Sequence, residues 1–350
     1  MGLMKKVLSR RDFLKLSALG LGGLAFRPAL GIGEDIGGVD IARVAIGSIS
    51  VYSRPSDKST ILYQRTRDEL VNIYSEVVSE EGPSWNPLWY RVWRGYIHSA
   101  HLQRVKVTLN PVADRIPEKT GQLGEVTVPF TQPFRYLSYN KTWEPVHRLY
   151  YGSTHWVMGV EEGPDGTPWY RLHDELSEVE YHTPAAHIRM IPNEEFDPIS
   201  PEIDPWKKHI EVSIARQELI AYEEDRVVLK TKVATGVPDH RDIPDLIRTD
   251  TPTGEFHVYS KMPSKHMGDG SFSADLDAYE LPGVPWTTFF AEHGVALHGT
   301  FWHTNFGVPM SHGCVNLPTE HAKWLFRWTT PVCDYKTWEA RGYGTLIVVS

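Results

Sequence analysis

Cysteine is almost absent: the 350 residues hold two, Cys314 and Cys333, beside 16 histidines and 12 tryptophans. A disulfide framework is excluded, because a chain of this length buries enough apolar surface without staples. One bridge between the two thiols is the plain structural alternative to any reactive role for them. Positive charge is also short, with 36 Lys and Arg against 44 Asp and Glu, a formal net charge of −8. That balance argues against nucleic acid as a partner, since affinity for a polyanion comes mainly from neutralised phosphates. Beyond the first thirty residues no stretch approaches the ~20 apolar residues a spanning helix needs. No His-Glu-x-x-His pattern occurs, which removes the commonest zinc-hydrolase signature. Neither is disorder expected, with 41% hydrophobic and 23% charged residues.

What is present begins with an atypical N-terminus. Lys5, Lys6, Arg10 and Arg11 precede a short Gly-rich apolar run from Leu14 to Phe26, the layout of a signal segment over 1–31. Ser9-Arg10-Arg11-Asp12-Phe13-Leu14-Lys15 resembles a twin-arginine export signal, which implies delivery of a folded protein to the cell envelope. Cleavage is placed near Ala29 to Gly31; if the segment is retained it is a membrane tether. An ordinary N-terminal anchor is the bland reading. Cleavage removes six basic side chains against one acid, Asp12, so the remainder is more acidic than the whole.

Two related modules follow, at 39–108 and 120–191. Trp89-Tyr90-Arg91-Val92 is answered by Trp169-Tyr170-Arg171-Leu172, and Ala100-His101-Leu102 by Ala186-His187-Ile188. Short alternating runs between Gly-Pro turns at Gly82-Pro83 and Gly163-Pro164 predict small β-barrels. Val51-Tyr52-Ser53-Arg54-Pro55 and Trp89 to Leu102 resemble bacterial Src-homology-3-like domains. Their aromatic residues are read as core before groove, and His101 and His187 as structural. Pro192, Pro198, Pro201 and Pro205 mark 192–206 as a stiff linker. From 207 to 350 alternation at Ile210, Val212 and Ile214, then Leu219 to Tyr222 and Val227 to Val233, predicts an antiparallel meander. One helix is expected from Thr319, its hydroxyl capping the first turn and Ala322, Leu325 and Phe326 sharing a face. An apolar strand, Leu346 to Val349, closes the chain. The fold class is mainly β: two barrel-like modules, then a sandwich-like domain with few helices.

The chemistry concentrates in His298-Gly299-Thr300 and Ser311-His312-Gly313-Cys314-Val315-Asn316. A thiol stands among imidazoles in a turn-prone stretch, and an acyl-transfer cysteine needs a basic neighbour or positive surroundings to become a thiolate. His298 and His312 both qualify; on a strand, positions two apart share a face, so spacing leaves the choice open. Glycine permits the positive φ and close approach by which main-chain N–H groups meet an oxyanion.

This His-Gly followed by Ser-His-Gly-Cys-Val-Asn resembles the signature of the L,D-transpeptidase catalytic domain. Ala234-Thr235-Gly236 and Thr251-Pro252-Thr253-Gly254-Glu255-Phe256, which resembles that family's "TPxGxF" turn, stand in the expected order; the charged stretch 239–250 departs from it. The resemblance covers roughly 205–350. It implies that Cys314 attacks the third residue of a peptidoglycan stem peptide, expels the terminal D-residue and leaves a thioester for an acceptor amine. It implies His298 as base, held as an anion-generating partner of the sulfur and oriented by the Gly299 carbonyl. His312 shapes the turn, Gly313 and Cys314 supply oxyanion N–H groups, and Ser311 and Asn316 hold the loop. Trp286 and Phe289, with Phe290, are placed at a substrate wall or in the core, and His303 at substrate or in a solvated loop. No cofactor or metal is implied. The rivals are an L,D-carboxypeptidase of the same fold, a zinc hydrolase using His298, His303, His312 and Cys314, and a non-catalytic wall-binding protein. Cys333 is read as a small buried hydrophobe.

Overall fold

A computed structural model describes residues 40–238, 249–268 and 280–350. The twin-arginine reading therefore lies outside the described residues. Among them no helix is long and apolar enough to cross a membrane.

The first module is two facing sheets. Asp40–Val44 lies between Leu70–Ile73 and Leu102–Val105, and a five-stranded sheet runs Ile61–Thr66, Ser48–Tyr52, Gly95–His98, Leu88–Val92, Ser75–Val78. Alternation does the sorting: Ile49 and Val51 turn inward from Ser48–Tyr52, and with Ala42, Val44, Val71, Ile97 and Leu102 they fill one core. The expected barrel is not closed among the described residues, because the pairings leave two separate sheets.

The second module repeats the same device. Leu88–Val92 and Pro168–Asp174 both carry a buried Trp-Tyr pair, and each module then makes a short 3₁₀ turn, Ser99–His101 or Ala185–His187, before its last strand. The repeated Gly-Pro has a steric reason. A Cβ at Gly82 would lie 2.4 Å from Trp89 Nε1, and one at Gly163 2.1 Å from Trp169 Cδ1. Each tryptophan is thus roofed by backbone that tolerates no side chain.

The proline-rich stretch does not stand clear as a spacer. Its turn Asn193–Phe196 buries Phe196 edge-on against Trp286, ring centroids 5.5 Å apart, and the Ile199 N–H donates to Arg327 O at 3.1 Å.

The C-terminal domain stacks two five-stranded sheets. One runs Arg226–Lys232, Glu218–Glu223, Lys208–Ser213, Leu346–Val349, Gly254–His257; the closing strand lies inside the sheet, next to the edge and parallel to the central Lys208–Ser213. The other runs Val315–Leu317, Val295–Gly299, Leu281–Ala291, Ser260–Met267, Ala340–Arg341. Ile210, Val212, Leu219, Leu297, Val315 and Ile347 join the core of this domain. The helix, α1 (Thr319–Trp328), buries Ala322, Leu325, Phe326 and Trp328. Its expected cap is corrected: Pro318 occupies the N-cap and the Thr319 hydroxyl turns instead to Thr300 O, 3.4 Å away.

Residues Asp40–Ser350 form one compact unit. Trp156 of the second module stacks on Trp338 at 4.9 Å and 7°, an arrangement worth roughly 1 kcal/mol beyond its buried area. Trp338 Nε1–H donates to Thr120 O at 2.8 Å.

Candidate active site

Register builds the site. Val295–Gly299 and Val315–Leu317 run parallel with Leu297 opposite Val315, His298 opposite Asn316 and Gly299 opposite Leu317. Paired residues share a face and alternate along the strand. Leu297, Val315 and Leu317 therefore enter the core, while Ala296, His298 and Asn316 take the other face. Cys314 precedes the ladder by one residue, its sulfur against the Ala296 N–H; continuing the register by one step places it across from Ala296, one diagonal step from His298. Strand spacing and rise put that diagonal at ~8 Å between Cα atoms, within reach of an imidazole. Phe289, opposite Ala296 on the antiparallel neighbour, joins the same face.

The imidazole has one available nitrogen. His298 Nδ1–H donates to Gly299 O at 2.9 Å, which leaves Nε2 unprotonated and without a hydrogen bond among the described residues. Burial pulls this histidine down to about 4, against the raising effect of the Gly299 carbonyl. Burial pushes Cys314 up to about 11, only partly countered by the Ala296 N–H, and Sγ donates toward Gly294 O at 3.8 Å. Desolvation, opposed by a single donor, favours the neutral thiol over the expected resting thiolate.

The two upstream motifs hold the cysteine loop. Ala234 and Asn316 exchange backbone hydrogen bonds at 3.0 and 2.9 Å, Thr235 O accepts from Met310 N–H and Ser311 N–H, and Val237 N–H donates to Ser311 O at 2.9 Å. Thr251 Oγ1–H donates to Gly313 O at 2.8 Å and accepts from Gly236 N–H at 2.8 Å. A Cβ at Gly236 would lie 2.1 Å from Thr249 O, so only glycine lets these strands meet. Gly313 has φ +113°. Its N–H donates to Ser311 Oγ at 3.2 Å, and the Ser311 hydroxyl donates to Cys314 O. Gly313 is therefore a loop brace whose N–H is already engaged.

The remaining candidates separate. His312 is exposed. His303 is buried, accepting Asn305 N–H at Nδ1 (3.1 Å) with Nε2 2.9 Å from the Asn316 amide; burial pulls it down to about 3. It braces Asn316 from inside and is neither a solvated loop histidine nor a free metal donor. Trp286 and Phe290 point into the core, Trp286 edge-on to Phe326 at 5.3 Å and Phe290 to Phe256 at 5.6 Å. Phe289 alone of the three is half-buried on the site face. Cys333 is a buried free thiol and Cys314 is free too. Sequence reasoning missed Tyr259 and Trp302. Tyr259 is 44% exposed, its ring 6.1 Å from Phe289, and burial is the chief cause that raises its hydroxyl. Trp302 lies 5.7 Å from the His298 ring. Neither carries a motif signal. Most of the charged stretch 239–250 lies outside the described residues.

A sequence model of the L,D-transpeptidase catalytic domain (YkuD) matches residues 207–349. Among solved structures, a cysteine-to-serine mutant of the Enterococcus faecium L,D-transpeptidase is 24% identical, covering 43% of this chain and 51% of that one, TM-score 0.30. An L,D-transpeptidase from Mycobacterium smegmatis is 17% identical over 59% and 100%, TM-score 0.32. Another L,D-transpeptidase, in complex with imipenem, is 16% identical over 70% and 100%, TM-score 0.31. The chain thus spans about half the length of the Enterococcus protein. No curated protein matches the chain.

Proposed function

We propose that this protein is a cysteine-dependent L,D-acyltransferase of peptidoglycan stem peptides, working at the cell envelope. The observation that supports the reading is the parallel pairing of Val295–Gly299 with Val315–Leu317, which brings the strand of His298 beside the residue that follows Cys314, while Gly299 O occupies Nδ1. That arrangement supports a base with its lone pair free and its tautomer fixed.

In the cycle, His298 Nε2 takes the Cys314 proton as sulfur attacks the carbonyl of the third stem residue. The carbonyl electrons collect on oxygen, and the Cys314 N–H, not the engaged Gly313 N–H, is the local donor for that charge. A donor so placed is worth ~3 kcal/mol. Collapse breaks the amide; the imidazolium returns its proton to the departing D-residue amine, leaving a thioester. An acceptor amine then attacks, His298 takes its proton, and thiolate leaves and is reprotonated. We assign Phe289 and Tyr259, their rings 6.1 Å apart, to the apolar side of the donor site. Water as acceptor makes the same machinery a carboxypeptidase.

The test uses the full chain with tetrapeptide-bearing muropeptides and, separately, imipenem. Release of the terminal D-residue with dimer formation, and one imipenem adduct on Cys314 by intact mass, are expected; Cys314→Ala abolishes both while the protein stays folded. Adduct on another residue, or turnover surviving Cys314→Ala, refutes the assignment. Tripeptide without dimer selects water as acceptor.

A further inference from the structure

Arg43, the fourth residue of Asp40–Val44, is 2% exposed although its module's core contains its neighbours Ala42 and Val44. It therefore points away from its own core and is buried by what docks there. Its guanidinium donates to Asp68 Oδ1 at 3.0 Å, to Gln103 Oε1 at 3.2 and 2.9 Å, and to Phe301 O at 3.0 Å. Its face lies 4.1 Å from the centroid of Tyr150 in the second module, and Asp68 also pairs with Arg148. Phe301 is two residues past Gly299. A second tie follows immediately: Thr304 N–H donates to Ala100 O at 3.2 Å, and the Thr304 hydroxyl lies 2.8 Å from Ser99 O and 2.9 Å from Leu102 O.

Between these ties sit the two residues that touch the catalytic face. Trp302 packs 5.7 Å from His298 and His303 reaches Asn316 at 2.9 Å. Segment 300–305 belongs to no ladder, so its placement depends on side-chain and docking contacts. An apolar clamp would dock the module with less desolvation cost than a buried ion pair. A planar guanidinium fork instead fixes the direction from which the Phe301 carbonyl must approach.

We propose that Arg43 and Thr304 are positioning residues: through them the first β module holds Trp302 and His303 in place and thereby seats the His298 imidazole. The inference rests on the acyl-transfer reading above. It makes the first module part of the catalytic apparatus and not only a spacer or wall-binding unit.

The experiment compares full-length wild type, Thr304→Val, Arg43→Lys and Arg43→Met for thermal unfolding, kcat and KM with muropeptide, iodoacetamide alkylation of Cys314, and the pH profile of kcat/KM. Thr304→Val, which removes only a hydroxyl, is expected to lower kcat tenfold or more with KM within twofold and alkylation within twofold. The acid limb of its kcat/KM profile moves up toward the ordinary histidine range as water reaches the loosened imidazole; general destabilisation would leave that limb in place. Arg43→Met loses more, and Arg43→Lys recovers part, because an ammonium cannot span all three acceptors. Folded Thr304→Val with wild-type kcat and an unmoved acid limb overturns the inference, whether or not Arg43→Met folds. Wild type inert toward both muropeptide and imipenem overturns the acyl-transfer reading, and this inference with it.

Discussion

The neutral resting pair at Cys314 and His298 makes a quantitative demand on thiol alkylation. With the thiol pushed up to about 11, the thiolate fraction at pH 7 is ~10⁻⁴, against ~3% for an ordinary thiol of pKa ~8.5. That is a deficit of roughly 300-fold. A more basic thiolate is intrinsically more nucleophilic, and a Brønsted coefficient of ~0.4–0.5 over ~2.5 pK units returns ~10–18-fold. Cys314 should therefore react with iodoacetamide ~20–30-fold more slowly than a free thiol at pH 7. Its rate should climb tenfold per pH unit from 7 to ~10 with no plateau.

His298→Ala sharpens the test. The imidazole makes no hydrogen bond to sulfur among the described residues, so its removal should leave alkylation at pH 7 within ~3-fold. Turnover needs the base only when sulfur attacks, and should fall ~10²–10⁴-fold, the usual worth of general-base catalysis. The assay is pseudo-first-order alkylation followed by intact mass, on Cys333→Ala protein so that one thiol is read. An alkylation midpoint below about pH 8, abolished by His298→Ala, would mean a resting thiolate–imidazolium pair and would refute the reasoning.

Two further outcomes are expected. Trp286→Ala should cost ~3–5 kcal/mol of stability, read from chemical denaturation, with little change in activity per folded molecule. Phe289→Ala should do the reverse, raising KM with a small stability loss; the opposite pattern would place Trp286 at the substrate. Acid should destabilise the fold early. His147 and His298 are pulled to about 4 and His155 and His303 to about 3, each chiefly by burial. A depressed imidazole gives stability that is complete above its unfolded value near 6.5 and is lost as pH falls toward its folded value. Four such groups set a limiting slope of ~5 kcal/mol per pH unit. His266, raised because Asp174 and Glu280 outweigh burial, adds nothing to that loss, since below 6.5 it is protonated folded or unfolded. Denaturation midpoints between pH 7 and 4 measure it, and a flat profile down to pH 4.5 would contradict it.

What could be read from residues alone was whatever local periodicity and steric need impose. The repeated Trp-Tyr runs and Gly-Pro turns fell where tryptophan is roofed by bare backbone, and α1 followed from Ala322, Leu325 and Phe326 at helical spacing. Strand parity separates two of the aromatic candidates. Trp286 and Phe289 are an odd number of residues apart on Leu281–Ala291, so a regular strand cannot turn both toward one pocket. His303 was misplaced for a different reason: its partner, Asn316, is reached by a return of the chain that spacing does not encode. Tyr259 enters the site only because Ser260 pairs with Phe289.

The thiol's protonation state shows the deeper limit. Chemistry required an activated sulfur, and the motif supplied imidazoles, so a resting anion followed naturally; yet ionisation answers to solvent exclusion, which belongs to the packed structure. Arg43 makes the same point in reverse. In Asp40-Ile41-Ala42-Arg43-Val44 it alternates away from Ala42 and Val44, on the face it shares with the half-buried Ile41. Only the packing of Tyr150 and Phe301 against that face turns it inward and sets its charge against a carbonyl two residues past the motif. Motifs therefore name candidate atoms, while the packing around them sets which charge states are favoured.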